Sequence, residues 1–370
     1  MDLILDIGNG SVGAALVEKG TATAKPRILS SVRELVLFEE KPTGEALQHA
    51  IFRALDRVIP ETLKKGMRYA PAGPLHVQHV LCTLSSPWFV SKGKTISLSQ
   101  PREFVLSADF LNDVLVKESQ HFKISEHETT KTRIIERMVV GGTVNGHALS
   151  NVIGQKTTSA NLSLYMSWAE ASFIEAIEKA VHTHVAPHLN VAFHTFPFVV
   201  FSAIREIFPQ TEDYIHYDVA GEITDVSVVS HNMIEKTVTY PSGKNAVIRA
   251  IGRSFDVPLD AARSLFHMCL ERRADEAVVE KVTAAIAEAE KEWGEYLDVA
   301  FDGMTTAPKK VFLTAYPQTA EIFETFLRKK KYSSVVHIDQ DLLGQFVGTT
   351  PSLDLDIFLG VESFFLSRFL

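Results

Sequence analysis

Apolar residues form short continuous runs at the start of the chain and again near its middle. The first run, Leu3 to Ile7, ends at Gly8, and a second run, Val12 to Val17, follows across a glycine-rich turn. This pattern predicts a β-hairpin. A similar strand-turn-strand pattern covers Tyr214 to Val229. The second half of the chain therefore begins like the first, which favours a duplicated α/β fold with a cleft between two lobes.

Apolar residues at helical spacing alternate with further strand-like runs in both halves. The elements predicted in the first half are a strand near Leu35 to Phe38, a helix from Ala46 to Val58, a strand from His79 to Leu84 and a helix from Trp168 to His182. Those predicted in the second half are helices from Ala246 to Leu265 and from near Asp275 to Leu297, a strand from Val311 to Thr314 and a helix from about Gln318 to Lys330. The chain ends on an apolar helix.

From Gly93 to about Tyr165 the pattern changes to short β segments around one helix, Ser107 to Glu118. The segments Thr95 to Leu98, Ile134 to Val140 and Asn161 to Tyr165 predict a small sheet that this helix covers on one face. We interpret the stretch as an inserted α+β module. The predicted division is therefore a first lobe at 1–92, the insertion at 93–166, a return to the first lobe at 167–208, a second lobe at 209–355, and a C-terminal helix at 356–370 that packs on the first lobe.

The composition is that of a globular chain with a sizeable core. Of its 370 residues, 46% are hydrophobic, which is enough for more than one domain. A net charge of -8, from 37 basic and 45 acidic residues, argues against nucleic acid as a partner. The N-terminus lacks a signal-peptide pattern, and no stretch reaches the roughly 20 apolar residues of a spanning helix. We therefore expect a cytoplasmic protein that is neither exported nor membrane-spanning.

Both hairpin turns are rich in small residues and follow an aspartate. The two segments are Asp6 to Ser11 and Asp218 to Asp225. A tight turn of small residues presents backbone N–H groups to anionic oxygens, because a larger side chain would block their approach. An aspartate at the end of each strand can hold hydrated Mg²⁺ against phosphates. One such segment alone is most often just a turn, but the matched pair predicts a phosphate site between the lobes.

The paired turns resemble the two phosphate loops of the actin and sugar-kinase superfamily. The stretch Ile135 to Gly146, followed by the strand Asn161 to Tyr165, is similar to the SHS2-type (1C) subdomain that is inserted at this place in the FtsA and PilM group. The resemblance implies an actin-like, ribonuclease H-like fold that binds ATP between its lobes, with Mg²⁺ near Asp6 and Asp218. The nucleotide-binding residues that it implies are Asp6, Gly8, Asn9, Gly10, Ser11, Asp218, Gly221, Thr224 and Thr314.

Three positions depart from the family pattern. Glu222 places a carboxylate in the second phosphate turn, which is unfavourable beside a phosphate unless the side chain turns away. The stretch Leu313 to Pro317 lacks the glycine run of the family's adenosine motif. Phe196 occupies the position of an acidic residue, and a phenyl ring cannot orient or deprotonate water. These departures predict no catalytic residue and at most a very slow ATPase, and they leave open a scaffold whose cleft holds no nucleotide.

The resemblance also implies a function. It implies a scaffold of a membrane-associated assembly, of the kind found in type IV pilus assembly and in cell division. Such a protein would bind a short peptide segment of a membrane-anchored protein through 93–166, and this partner would recruit it to the inner face of the membrane. The missing linker and membrane-targeting tail favour the pilus group. Two alternatives stay open: an active ATPase or small-molecule kinase, and a homo-oligomeric or filament-forming cytoskeletal protein.

Overall fold

The computed structural model describes residues 1–21, 24–36, 38, 42–69, 76–120, 131–300, 308–330, 332 and 334–370. These residues form one sheet in each of two lobes and a further sheet in a smaller unit that is inserted in the first lobe. The duplicated two-lobed α/β fold with an inserted α+β unit, predicted from the paired hairpins and the change of pattern between them, is thereby confirmed.

The first lobe is built on a six-stranded sheet. Its strands are β1 (Asp2–Ile7), β2 (Ser11–Glu18), β3 (Arg27–Leu35), β4 (His79–Leu84), β9 (Val191–Thr195) and β15 (Gly348–Thr349). Their order across the sheet is β15-β3-β2-β1-β4-β9. Strands β1 and β2 form the predicted antiparallel hairpin, and β4 and β9 run parallel to β1. The carboxyl ends of β1, β4 and β9 therefore lie at one edge of the sheet, where Asp6 faces the second lobe.

Helices cover both faces of this sheet. They are α1 (Gly44–Gly66) and α3 (Ala171–His184) on one face, and α4 (Phe196–Ile207) and α10 (Ile357–Phe369) on the other. Because successive side chains of a strand point to opposite faces, Leu3 and Leu5 pack in the core with α1 and α3, whereas Ile4 packs with α4 and α10. No helix within the described ranges is both long and apolar enough to cross a lipid bilayer.

The second lobe repeats the arrangement of the first. Its strands are β10 (Tyr214–Val219), β11 (Thr224–Ser230), β12 (Met233–Tyr240), β13 (Lys310–Ala315) and β14 (Ser334–His337). They are ordered β12-β11-β10-β13-β14, with an antiparallel hairpin in the middle and parallel strands on one side. The helices of the lobe are α5 (Lys244–Phe255), α6 (Leu259–Leu270), α7 (Glu276–Ala300), α8 (Pro317–Lys329) and α9 (Gln340–Gly344).

The inserted unit is an antiparallel sheet with one helix. Its elements are β5 (Phe89–Val105), α2 (Ala108–Gln120), β6 (Thr132–Val144), β7 (His147–Leu149) and β8 (Lys156–Glu170), and the strand order is β5-β8-β6-β7. Leu111 and Leu115 of α2 pack on one face of the sheet. The other face contacts the first lobe at its base, where the hydroxyl groups of Tyr165 and Thr195 are 2.8 Å apart. That face is therefore not open along its whole length.

Three elements differ from the sequence prediction. The helix predicted from Trp168 begins only at Ala171, because Trp168 is still part of strand β8. Strand β3 ends at Leu35, where the strand predicted from Leu35 to Phe38 begins; of that predicted strand, Leu37 lies outside the described residues. The single helix predicted from Ala246 to Leu265 is two helices, α5 and α6. The helix breaks because Asp256 takes a left-handed conformation with φ of 55° and Pro258, two positions later, has no backbone N–H to donate.

Candidate functional site

The turns of the two predicted phosphate hairpins touch where the lobes meet. A Cβ atom on Gly10 would lie 2.5 Å from the Cα atom of Gly221, which is too close for any side chain. Only glycine allows the two backbones to approach this closely. The structure therefore brings the two turns together, as the duplicated pattern predicts, but with backbone packed against backbone.

Asn9 joins the two turns through its side chain. Its Oδ1 atom accepts a hydrogen bond from the backbone N–H of Glu222 at 2.6 Å, and its Nδ2 atom donates to the carbonyl oxygen of Ser86 at 2.8 Å. The Asn9 side chain is fully buried. A backbone amide that the sequence analysis assigns to phosphate is thus already bonded within the chain.

The side chain of Glu222 turns away from the contact between the hairpins. Its carboxylate accepts two hydrogen bonds from Arg249, at 2.7 and 3.0 Å, and one from Nδ2 of Asn245 at 2.8 Å. Both charged groups are buried, and both residues that bind Glu222 lie on α5. The unfavourable placement of this charge beside a phosphate, expected from the sequence, is therefore avoided by a buried ion pair within the second lobe.

Arg33, on β3, reaches the aspartate of the first hairpin. Its Nη1 atom is 2.7 Å from Asp6 and donates to Ser11 at 2.8 Å, while Nε and Nη2 bind both oxygens of Asp356 at 2.5 and 2.9 Å. Gly13 leaves room for this guanidinium, because a Cβ atom there would lie 2.8 Å from Nη2. Burial would raise the pKa of Asp356, but the charge and hydrogen bonds of Arg33 outweigh it and lower that pKa.

The aspartate of the second hairpin has no comparable partner. Asp218 is 1% exposed, and neither of its carboxylate oxygens has a hydrogen-bond partner among the described residues. Burial raises the pKa of Asp218 well above its usual value, and the nearby carboxylates of Asp225 and Asp6 add to this. Glu362, on α10, also has a strongly raised pKa because of burial and the proximity of Asp6. The buried carboxyl groups of Asp6, Asp218, Asp225 and Glu362 therefore lie near one another at the base of the cleft.

Other residues predicted to bind nucleotide have their polar groups engaged inside the lobes. The hydroxyl of Thr224 donates to the carbonyl oxygen of Ser242, and that of Thr314 lies 2.8 Å from Nε2 of His216. The N–H of Gly8 donates to the carbonyl oxygen of Ser11 at 3.1 Å, which closes the first turn. Whether these residues contact a nucleotide stays a prediction.

A pocket of about 420 Å³ opens beside the touching hairpins. It is lined by residues of both lobes, among them Gly10, Arg33, Lys244, Arg263, Tyr316 and Asp356. The Nζ atom of Lys244 lies 3.2 Å from the centre of the Tyr316 ring, and the Tyr316 hydroxyl is 2.6 Å from that of Ser11. Burial, with the charges of Arg33 and Arg263, lowers the pKa of Lys244 to about 7.

The charged groups with the most contacts in this region are not apparent from the sequence. Arg33 and Asp356 are 323 positions apart, and no local pattern connects them. A cation within the strand beside the first hairpin is the one signal that could have identified Arg33. Tyr316 stands where a glycine run was expected, and its buried ring packs against Lys244 and Ser11.

The closed hairpins do not leave room for phosphate between them. The N–H of Glu222 and the carboxylate of Asp6 are already bonded, and the backbones of Gly10 and Gly221 are in contact. The unpartnered carboxyl of Asp218 is the feature that would suit a hydrated cation. A phosphate group directly between Gly10 and Gly221 would therefore require the two turns to separate.

A second concave region lies at the base of the inserted unit. This groove, of about 440 Å³, is lined by Gly44, Gln48, Trp88, Val90, Trp168 and Phe173, among others. The rings of Trp88 and Phe173 stack with their centres 4.5 Å apart. The indole N–H of Trp88 donates to the carbonyl oxygen of Gly8 at 2.8 Å. The wall of the groove is thus bonded directly to the first hairpin.

Apolar side chains are exposed next to this groove. Val90, Trp168 and Ile134 are in register across β5, β8 and β6. Trp168 is buried, whereas Val90 is 49% and Ile134 41% exposed. Apolar groups that are exposed together beside a groove are typical of interaction sites.

The fold is similar to solved structures although the sequence is not close to known families. No protein-family model matches the chain, and no curated protein matches it. The structure of a PilM–PilN type IV pilus biogenesis complex matches with a TM-score of 0.65 and 14% identity, over 99% of this chain and 96% of that one. EutJ, an ethanolamine utilization protein of Carboxydothermus hydrogenoformans, matches with a TM-score of 0.48 and 12% identity, over 98% and 89%. Over almost its whole length, the chain therefore has the fold of the structure solved for the PilM–PilN complex.

Proposed function

We propose that this protein is a cytoplasmic scaffold of a membrane-associated assembly, most like the type IV pilus assembly protein PilM. In this proposal, the groove at the base of the inserted unit binds a short segment of a membrane-anchored protein, and this partner recruits the scaffold to the inner face of the membrane. The observation that carries the proposal is the groove itself, with exposed Val90 and Ile134 beside it. The inserted unit is, in this proposal, an SHS2-type recognition module.

The groove suits an extended peptide with apolar side chains. Its volume of about 440 Å³ falls in the range of roughly 300–1,000 Å³ that is typical of ligand pockets. The stacked pair of Trp88 and Phe173 provides a firm apolar wall, and burying Val90 and Ile134 on binding would remove apolar area from water. The partner surface expected from the sequence is the inserted unit, 93–166, with a face of its sheet as one possible place for the peptide. The groove is the better place, because the first lobe covers the base of that face at Tyr165.

The core around Phe196 supports a scaffold rather than an active ATPase or kinase. The ring of Phe196 is fully buried and packs against Phe358, with centres 5.6 Å apart. A general base or water-orienting group must reach the reacting atoms, and an apolar ring in the core does neither. We propose turnover well below roughly 1 s⁻¹, the low end of typical enzymes. Steady-state release of phosphate from Mg·ATP above that rate would favour the enzyme alternative.

ATP and Mg²⁺ remain proposed ligands of an open form. The residues that would hold them are the hairpin segments 8–11 and 221–224 for phosphate, with Asp6 and Asp218 for the cation. The unpartnered carboxyl of Asp218 supports this assignment. Calorimetry with Mg·ATP on the wild type, Asp6→Ala and Asp218→Ala tests it. Equal affinity in all three proteins would place the nucleotide elsewhere.

The peptide proposal is tested by fluorescence anisotropy with labelled synthetic peptides. The probes cover the cytoplasmic termini of the single-span membrane proteins of the source organism, including any that resemble PilN. We expect one of them to bind the wild type, and Val90→Glu or Ile134→Glu to weaken it at least tenfold. Val279→Glu is the matched control, since Val279 is 40% exposed on α7 of the second lobe. Binding by no probe, or equal binding by all variants, would refute the proposal.

The filament alternative has its own readout. A filament-forming protein would sediment with Mg·ATP and stay in the supernatant without it. The scaffold proposal expects the same sedimentation in both conditions.

A further inference from the structure

We infer that the two lobes are held closed by the chain's own side chains, at the positions that a Mg–nucleotide would need. The structure assigns this role to the interlobe hydrogen bonds made by Asn9, Ser86 and Ser11 and to the glycine contact between the hairpins. We call this set the interlobe lock. The interlobe lock is distinct from the scaffold role, because it consists of contacts between the lobes and not of the peptide groove.

Asn9 is the centre of the lock. It lies in the first hairpin, yet its Oδ1 atom takes the backbone N–H of Glu222 in the second hairpin at 2.6 Å. A phosphate oxygen would need that same donor. The Nδ2 atom of Asn9 is held by the carbonyl oxygen of Ser86 at 2.8 Å, which fixes the orientation of the amide. Both the oxygen and the nitrogen of the Asn9 amide are therefore hydrogen-bonded within the protein.

Ser86 extends the lock to the next strand of the second lobe. Its hydroxyl donates to Oδ1 of Asp225, on β11, at 2.8 Å and lies 3.3 Å from the hydroxyl of Thr239, on β12. Ser86 and Asp225 are both buried. Because a buried acceptor that loses its donor retains a desolvation cost, separating the lobes here is unfavourable unless water or a ligand takes over.

Ser11 and Arg33 complete the lock on the other side of the hairpins. The Ser11 hydroxyl is 2.6 Å from that of Tyr316, in the second lobe. Arg33 donates to Ser11 and pairs with Asp6 at 2.7 Å. A fixed guanidinium thus neutralises the carboxylate that the sequence analysis assigns to Mg²⁺. The chain supplies a cation of its own where a nucleotide-dependent protein would use a metal.

Closure by these contacts has a consequence for nucleotide binding. If the binding-competent form is the open one, the apparent affinity is reduced by the fraction of molecules that are open. Each buried hydrogen bond of the lock shifts that fraction by about tenfold, equivalent to about 1.4 kcal/mol. Removing Asn9 or Ser86 should therefore open the cleft in the absence of any ligand.

Hydrogen exchange at the amide of Glu222 tests the lock in the full-length, nucleotide-free protein. We expect this amide to be protected in the wild type and its protection to fall about tenfold in Asn9→Ala, with no change at the amide of Ile215 in the centre of the second lobe. Asn151→Ala is the matched control, because Asn151 also accepts a backbone N–H, that of Ile153 at 3.0 Å, on the exposed surface of the inserted unit.

Small-angle scattering gives an independent readout. Ser86→Ala, which keeps Asn9 in place, should have a larger radius of gyration than the wild type when both are measured without nucleotide. An unprotected Glu222 amide in the nucleotide-free wild type, or protection that arises only with Mg·ATP, would overturn the inference. So would Asn9→Ala exchanging like the wild type at Glu222. None of these outcomes involves the peptide groove, so the scaffold proposal is tested separately.

Discussion

The buried carboxyl of Asp218 should make the stability of this protein fall as the pH rises. Asp218 is 1% exposed and has no hydrogen-bond partner among the described residues, and burial raises its pKa well above 3.8. Below about pH 4 the group is protonated in both the folded and the unfolded chain. As the pH rises, the unfolded chain loses this proton first. The folded state then binds one more proton than the unfolded state, and stability is lost until the pH passes the folded pKa.

The magnitude follows from this difference of one proton. Between the unfolded and the folded pKa, the free energy of unfolding falls by about 1.4 kcal/mol for each pH unit on account of this group alone. Asp218→Asn keeps the shape of the side chain but cannot ionise. The free energy of unfolding of the variant should therefore rise relative to that of the wild type by up to about 1.4 kcal/mol per pH unit above pH 4. This difference should become constant above the folded pKa.

Urea unfolding at pH 5, 6, 7 and 8, followed by circular dichroism, measures this gain. Asp260→Asn is the control for the loss of one negative charge, because the Asp260 side chain is 94% exposed. The free energy of unfolding of Asp260→Asn should differ from that of the wild type by the same amount at every pH, or not at all. If the stabilities of Asp218→Asn and wild type run parallel from pH 5 to 8, the carboxyl of Asp218 is paired or hydrated in solution and the reasoning is refuted.

Three further outcomes follow from the site. Arg249→Met should lower the free energy of unfolding by about 3–5 kcal/mol, since it leaves Glu222 charged and buried. Combining it with Glu222→Gln should recover most of this loss. If the losses of the two single variants add in the double variant, the ion pair is contradicted. Gly10→Ala should lower the melting temperature because a Cβ atom meets the backbone of the second hairpin at 2.5 Å, whereas Gly44→Ala, with open space around it, should not. The lowered pKa of Lys244, about 7, makes the folded state release its proton before the unfolded state does, so this amine adds a rise of stability with pH above 7, opposite to the fall due to Asp218. Lys244→Met should remove this rise, and an unchanged pH dependence would show that the amine is hydrated.

Local patterns in the sequence were sufficient to predict most helices and strands and the repetition of the hairpin in the second lobe. The runs Leu3 to Ile7 and Tyr214 to Val219 each precede a turn of small residues, and both form the first strand of an antiparallel hairpin. Helical spacing likewise identified α1 and α8. These features depend on side-chain period and turn chemistry, which act over a few residues and are therefore readable along the chain. The break between α5 and α6 was missed because spacing continues across Asp256.

The tertiary structure alone decided what fills the cleft. Glycine at positions 10 and 221 is compatible with a phosphate loop or with backbone contact between lobes, and the sequence does not distinguish these. In the sequence, Asn9 is one more small polar residue of a turn. Only the structure shows that its amide bonds to Glu222, 213 positions later. The role of Arg33 likewise becomes apparent only from its hydrogen bonds to Asp356. Such pairs depend on the relative position of two lobes, and that position results from packing over the whole chain rather than from any local pattern.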